Sequence, residues 1–260
     1  MSIDTTTTPE KLSPWYDAPP PSRWVSPDVL ALKIKDGEGV DNTCRFLPWV
    51  GERYAEGISL LGHPPSRLLL VGESHYEAVD HCAFTWDVVM RQWGQGALAM
   101  SRSFQEFFPT VERLIGGPGD RAQPLALEEF YQRLAFYNYV REPMPNGSTR
   151  PTSSDFKAAW PAFRRVLTTL QPNIVLFFGM DMWDTIPGPE EQVFDLKELG
   201  FLAKCDTRDL KLWRIDSVAS RPLVFPVHHP SYLRRDPSRE ACSMNWIAAG
   251  LRAVHSQFQP

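Results

Sequence analysis

Two kinds of apolar spacing run along the chain. Arg67-Leu-Leu-Leu-Val71 and Asn173-Ile-Val-Leu-Phe-Phe178 are short apolar runs, closed by Gly72 and Gly179. Runs of this kind predict strands buried on both faces. Ala135–Val140 reads as a short aromatic strand and Leu223–Val227 as another buried one. Leu210–Ile215 is a further strand, interrupted by Lys211 and Arg214, which predicts an edge position. Between these runs the spacing turns helical. Residues 101–115 and 125–134 read as helices, separated by a Gly/Pro loop at 116–119. Phe156, Ala159, Trp160, Phe163, Val166, Leu167 and Leu170 share one helical face behind a Ser154/Asp155 cap. A last helix, from about Pro237 to His255, carries Ala241, Met244, Ile247, Ala248, Leu251 and Val254 on its apolar side.

Strands that alternate with helices predict an α/β fold, a three-layer α/β/α sandwich with a mostly parallel central sheet. Residues 66–260 form that domain. Residues 1–65 read as an N-terminal arm that packs on the body. The arm's start is rich in threonine and proline, and Trp15, Tyr16 and Trp24 give it apolar groups with which to dock. In sheets of this type, ligands bind at the carboxyl ends of the strands. Gly72–Tyr76, Asn138–Val140 and His228–Ser231 all fall at such ends, so they are expected to meet in one crevice.

Composition narrows the function. Apolar residues make up 43% and charged residues 22%, values of a water-soluble domain. No apolar run reaches the length of a membrane helix, and Met1–Leu12 lacks a signal-peptide pattern, so a cytoplasmic protein is expected, with no membrane partner. The net charge of -4 argues against a protein that coats nucleic acid non-specifically. A local basic rim is still compatible with DNA as a partner. Cys44, Cys82, Cys205 and Cys242 are far apart with no C-x-x-C pair, so neither disulfides nor a zinc site are expected.

Three short segments carry the chemistry. In Gly72-Glu73-Ser74-His75-Tyr76 a strand-ending glycine is followed by a carboxylate, a hydroxyl, an imidazole and a phenol. A helix N-terminus would also use Glu and Ser, as caps. In Phe136-Tyr137-Asn138-Tyr139-Val140 an amide sits among aromatics. Burying it needs partners, and its donors and acceptor can read a base edge. In His228-His229-Pro230-Ser231-Tyr232-Leu233-Arg234-Arg235 two histidines follow a strand. Adjacent residues of an extended chain point to opposite sides, so one histidine can be structural while the other enters a cleft.

Together, and in this order, the segments resemble the uracil-DNA glycosylase superfamily. Its first motif takes forms such as G-E-A-P-G or G-Q-D-P-Y, where this chain has G-E-S-H-Y. Its asparagine strand corresponds to Tyr137-Asn138-Tyr139-Val140, and its final H-P-S or H-P-A motif to His229-Pro230-Ser231. The iron–sulfur branch is the most similar, since its final motif runs H-P-A-x-L-x-R-N-P, against His229–Pro237 here. The resemblance spans about residues 66–256. The cysteines of that branch are missing, with Glu142 and Trp160 standing where two of them would fall, so no cluster, metal or other cofactor is expected.

The resemblance implies hydrolysis of the N-glycosidic bond of a flipped-out uracil or modified pyrimidine in single- or double-stranded DNA. The role would be repair, or defence against phage with modified DNA. Glu73 would stabilise the sugar cation and orient water, and His229 would stabilise the departing base. Asn138, Tyr76, His75 and Ser74 would bind the base. Ser231, Leu233, Arg234 and Arg235 would bind DNA, with Leu233 as a wedge and Arg141 and Arg150 as further candidates to hold the backbone, and a monomer is expected. Two alternatives remain open from sequence. One is a serine esterase-like hydrolase using Ser74, although Phe225 and Pro226 occupy the places where its aspartate would be needed. The other is a non-catalytic DNA-binding protein on the same fold.

Overall fold

The computed structural model describes residues 26–34, 41–76, 82, 84–90, 102–116, 124–146, 148–179, 191–195 and 211–258. Only the backbone is described at 102–106, 124–125, 191–195, 231, 234 and 255–258. Of the arm predicted over residues 1–65, residues 1–25 and 35–40 lie outside this set. So does most of the 116–119 loop.

The chain begins with α1 (Pro27–Ala31), β1 (Trp49–Val50), β2 (Ile58–Leu60), β3 (His63–Ser66) and β4 (Leu68–Gly72). Next come α2 (Phe84–Met90), α3 (Arg102–Leu114), α4 (Pro124–Tyr131), β5 (Leu134–Asn138) and α5 (Ser153–Leu170). The last part holds β6 (Ile174–Phe178), β7 (Glu191–Asp195), β8 (Lys211–Arg214), β9 (Leu223–Val227), α6 (Pro230–Arg235) and α7 (Pro237–Phe258).

One mixed sheet of seven strands, in the order β1-β5-β4-β6-β9-β8-β7, forms the centre. Its four middle strands, β5, β4, β6 and β9, are parallel, and the flanking pairings are antiparallel. β4, β5 and β6 are buried at every position, as their unbroken apolar runs require. Alternate residues on these strands meet different helix layers. Phe136 packs on Phe107 and Phe108 of α3, while the next residue, Tyr137, stacks on Phe163 of α5. Phe225 of β9 meets Trp246 of α7. The fold is therefore the expected α/β sandwich.

Several local expectations need correction. β8 is not an edge strand, because β7 pairs along its other side. Its charged residues had suggested an edge, but β7 offered no sequence signal of its own. α5 is capped by Thr152, two positions before the predicted Ser154. The Thr152 hydroxyl accepts from the Asp155 N–H, and the Asp155 carboxylate accepts from the Thr152 N–H, a reciprocal capping box. β1 lies before residue 66 yet joins the sheet beside β5, so part of the segment read as an arm is built into the domain. The cysteine expectation also changes: Cys44 and Cys82 are free, whereas Cys242 is disulfide-bonded. Among the described residues no helix is long and apolar enough to cross a membrane.

Strand β4 is the point where the topology divides. β5, which follows it in sequence, lies on one side, and β6 lies on the other. The carboxyl ends of strands at such a point leave an open crevice, because the connections leave in opposite directions.

Candidate active site

Glu73 and Asn138 stand side by side because β4 and β5 are in register, with Gly72 opposite Asn138. The pairing continues into the loops beyond both strands. Tyr139 N–H donates to the Gly72 carbonyl at 2.9 Å, Val140 N–H to that of Glu73 at 2.9 Å, and Met144 N–H to that of His75 at 2.8 Å. The two loops are thus zipped together, which fixes the Glu73 backbone. Gly72 is required for a packing reason. A Cβ there would stand 2.2 Å from Asn138 Oδ1, well inside contact distance.

The cavity at these strand ends is lined by Gly72, Glu73, Ser74, Tyr76, Phe107, Phe108, Phe136, Asn138 and His229. Glu73, Ser74, Tyr76, Asn138 and His229, drawn from three strand-end segments, therefore meet around one space. His229 enters from the end of β9 and lies 5.5 Å, ring centre to ring centre, from Phe107. Its neighbour His228 is not part of the lining.

His75 is placed differently from expectation. It is 1% exposed and does not line the cavity. Instead it sits behind Asn138. The Asn138 amide Nδ2 donates to His75 Nδ1 at 3.0 Å, and His75 Nε2 lies 2.9 Å from Thr85 Oγ1. An amide nitrogen can only donate, so Nδ1 accepts, and the ring proton sits on Nε2 and donates to Thr85. Phe46 and Phe84 pack edge-on against the imidazole at 4.7 and 5.0 Å. His75 is thus a support for the amide rather than a direct contact for a ligand.

At the mouth, Tyr76 Oη donates to Glu73 Oε1 at 3.2 Å. Burial, together with the Glu73 charge, pushes the Tyr76 phenol above its usual range, so it remains a proton donor. Arg150 reaches in from the loop after β5. Its Nη1 lies 3.1 Å from Glu73 Oε1 and donates to Tyr76 Oη at 3.3 Å. His229 is pushed down to about 4, first by burial and then by the Arg150 charge. It is therefore a neutral imidazole at neutral pH. A neutral ring can still donate one N–H to a developing oxyanion.

The Ser74 hydroxyl lines the cavity beside the Tyr76 phenol. Among the described residues no hydrogen bond joins it to a histidine, which an esterase would need as its general base. Leu233 also needs correction. It is fully buried in the core, so it is not exposed as a wedge. α6 turns it inward, and its neighbour Tyr232 is the exposed residue, at 47%. Arg235 is exposed, whereas the side chains of Ser231 and Arg234 lie outside the described residues.

Sequence reading missed one part of the site and left the place of another undetermined. Phe107 and Phe108 give it an aromatic wall, but an aromatic pair on an amphipathic helix reads equally well as core. Arg150 was expected only as one of several arginines that could hold the DNA backbone, and its pairing with Glu73 left no sequence signal, because only the fold brings the two together. Glu142 and Trp160 do not offer the ligands of the iron–sulfur cluster that the resemblance in the final motif raised. Glu142 is ion-paired with Arg45, and Trp160 packs against Phe163. Among the described residues no group of His, Cys, Asp and Glu side chains is placed to hold a metal ion.

The family model of the uracil DNA glycosylase superfamily matches residues 61–249, which takes in every segment of this cavity. No curated protein matches the chain. Members of the superfamily are typically DNA glycosylases. The match covers most of the chain, and the chain belongs to the uracil-DNA glycosylase superfamily.

Proposed function

We propose that this protein is a DNA N-glycosylase that hydrolyses the bond between deoxyribose and a flipped-out uracil or modified pyrimidine, leaving an abasic site. The observation that carries this reading is the meeting of Glu73, Asn138 and His229 around one aromatic-walled cavity at three strand ends. Cleavage of a glycosidic bond builds positive charge on the sugar and negative charge on the base. A carboxylate on one side and an imidazole donor on the other oppose those charges in the transition state.

Each residue then has one task. The Glu73 carboxylate faces the sugar cation and orients the attacking water. The His229 N–H donates to the carbonyl oxygen of the departing base, whose charge it stabilises. Asn138 reads the pyrimidine edge with an amide held from behind by His75 and Thr85. Phe107 and Phe136 offer ring faces and edges against which an unstacked base can rest. Water supplies hydroxide to the sugar carbon, and its proton passes to solvent as the base leaves.

The test is incubation with oligonucleotides carrying uracil or a panel of modified pyrimidines, followed by alkali. The expected result is strand scission at one or more of the modified positions. His229→Ala should lower the single-turnover rate by about 10²–10³-fold, the usual effect of removing one transition-state donor. A folded protein that yields no scission on any of these bases contradicts the reading.

A further inference from the structure

We propose that Arg150 holds a backbone phosphate beside the extruded nucleotide, and that this contact unmasks the charge of Glu73 at the sugar. The inference rests on the glycosylase reading and adds to it the point at which the DNA backbone meets the catalytic carboxylate.

The side chain of Arg150 is half exposed, at 50%, while that of Glu73 beneath it is 6% exposed. Both inward contacts, to Glu73 Oε1 and to Tyr76 Oη, use the same nitrogen, Nη1. Among the described residues Nε and Nη2 make no hydrogen bond. The Nε–Nη2 edge of a guanidinium is a planar fork that matches two phosphate oxygens. Glu73 and Tyr76 thus hold the arginine by one corner and leave its phosphate-binding edge open. Arg150 also lies within electrostatic reach of Tyr232, the exposed residue of α6, and of His229 in the cavity. Glu73 and Tyr76 both line the cavity and Arg150 is half exposed above them, so the arginine stands at the cavity rim, where the backbone of an extruded nucleotide must pass.

The charges explain why a cation is needed here. The chain carries a net charge of -4 and a buried carboxylate at the site, and both repel phosphate. In the free protein the Glu73–Arg150 pair is neutral as a unit, so little negative field reaches the sugar position. A phosphate on the outer edge makes an array of carboxylate, guanidinium and phosphate with one net negative charge. The field that stabilises a sugar cation is then complete only when DNA is in place.

The test uses a fluorescent single-stranded oligonucleotide with one tetrahydrofuran abasic-site analogue, read by anisotropy. Each phosphate flanking the analogue is replaced in turn by a neutral methylphosphonate. One position should weaken wild-type binding by about tenfold, and Arg150→Gln should show the same loss on unmodified DNA. The two changes together should cost no more than either alone. The Arg150→Gln slope of log affinity against log salt should be shallower by about 1, and Arg150→Lys should restore the slope. Thermal unfolding verifies that both variants fold. On a cleavable oligonucleotide at saturating protein, the same methylphosphonate should slow wild-type turnover by about tenfold.

An unchanged salt slope in Arg150→Gln, or additive losses at every phosphate, overturns the phosphate contact. An unchanged saturating rate overturns the coupling to Glu73. The tetrahydrofuran probe carries no base, so its result does not depend on glycosidic cleavage. Non-additive losses on that probe with no base released from any oligonucleotide would keep the phosphate contact and reject the glycosylase reading.

Discussion

Asn138 is oriented from behind, by a buried chain running through His75 to Thr85. Its Nδ2 is committed to His75, so the amide cannot flip without losing that bond and leaving the imidazole nitrogen unpaired. Thr85→Val removes the acceptor for the His75 N–H, and a buried donor left unpaired costs about 1–3 kcal/mol. Denaturant unfolding should show that loss of stability, and cleavage assays should show weaker discrimination between keto and amino pyrimidines. Stability loss with unchanged discrimination would separate the chain from base selection. His229 makes a second prediction. Its folded value, about 4, lies below the ordinary value of 6.5, with burial as the main cause and Arg150 second. The unfolded chain therefore takes up a proton first as pH falls. The stability contributed by neutral His229 is complete above about pH 6.5 and is lost as pH falls toward 4. A side-chain NMR titration should find its midpoint near 4, and Arg150→Gln should raise it, because burial remains while the nearby cation is gone. At this scale Glu73, Tyr76, Asn138 and His229 were legible through the order of three strand-end segments, since each residue alone reads equally well as a helix cap or a satisfied core group. Leu233 was misread because a single residue beside a motif shows no face. The short helix α6 sets that face and turns it into the core.

Among the elements, the buried strands were the most legible. β4, β5 and β6 are written as unbroken apolar runs, and nothing in their surroundings competes with that signal. The hairpin β2–β3 was not legible, because Pro64 and Pro65 within β3 argue against a strand. The position of β8 was misjudged because the charges of Lys211 and Arg214 are equally compatible with a strand whose outer neighbour is itself an edge. α5 illustrates how an element sets part of the site. Its Thr152/Asp155 capping box begins two residues after Arg150, so the cap anchors the loop that brings the guanidinium to Glu73. Thr152→Ala should lower stability by about 1 kcal/mol, the usual cost of a lost N-cap. It should also weaken binding to abasic DNA through the loosened Arg150. Calorimetry and anisotropy read the two effects separately, and full DNA affinity alongside the expected destabilisation would show that the loop holds without its cap.

For the whole molecule, the order of strands places the site. β4 lies between the strand that follows it and the strand formed later, and the crevice at its carboxyl end collects residues from β4, β5 and β9. The alternation of strands and helices predicted the sandwich, but not the antiparallel additions on both sides of the parallel centre. Those pairings join segments distant in sequence and leave no local pattern. The net charge of -4 gives little general attraction for DNA, so the account requires local contacts such as Arg150 at the rim. The central claim is that the crevice releases a free base from DNA. Mass spectrometry of the supernatant, with aldehyde-reactive labelling of the oligonucleotide, measures both products of that reaction. The account predicts free pyrimidine and abasic sites in equal amounts from wild-type protein, and strongly reduced amounts from Glu73→Ala and His229→Ala. No free base from uracil or any modified pyrimidine, or undiminished release by both variants, would contradict it.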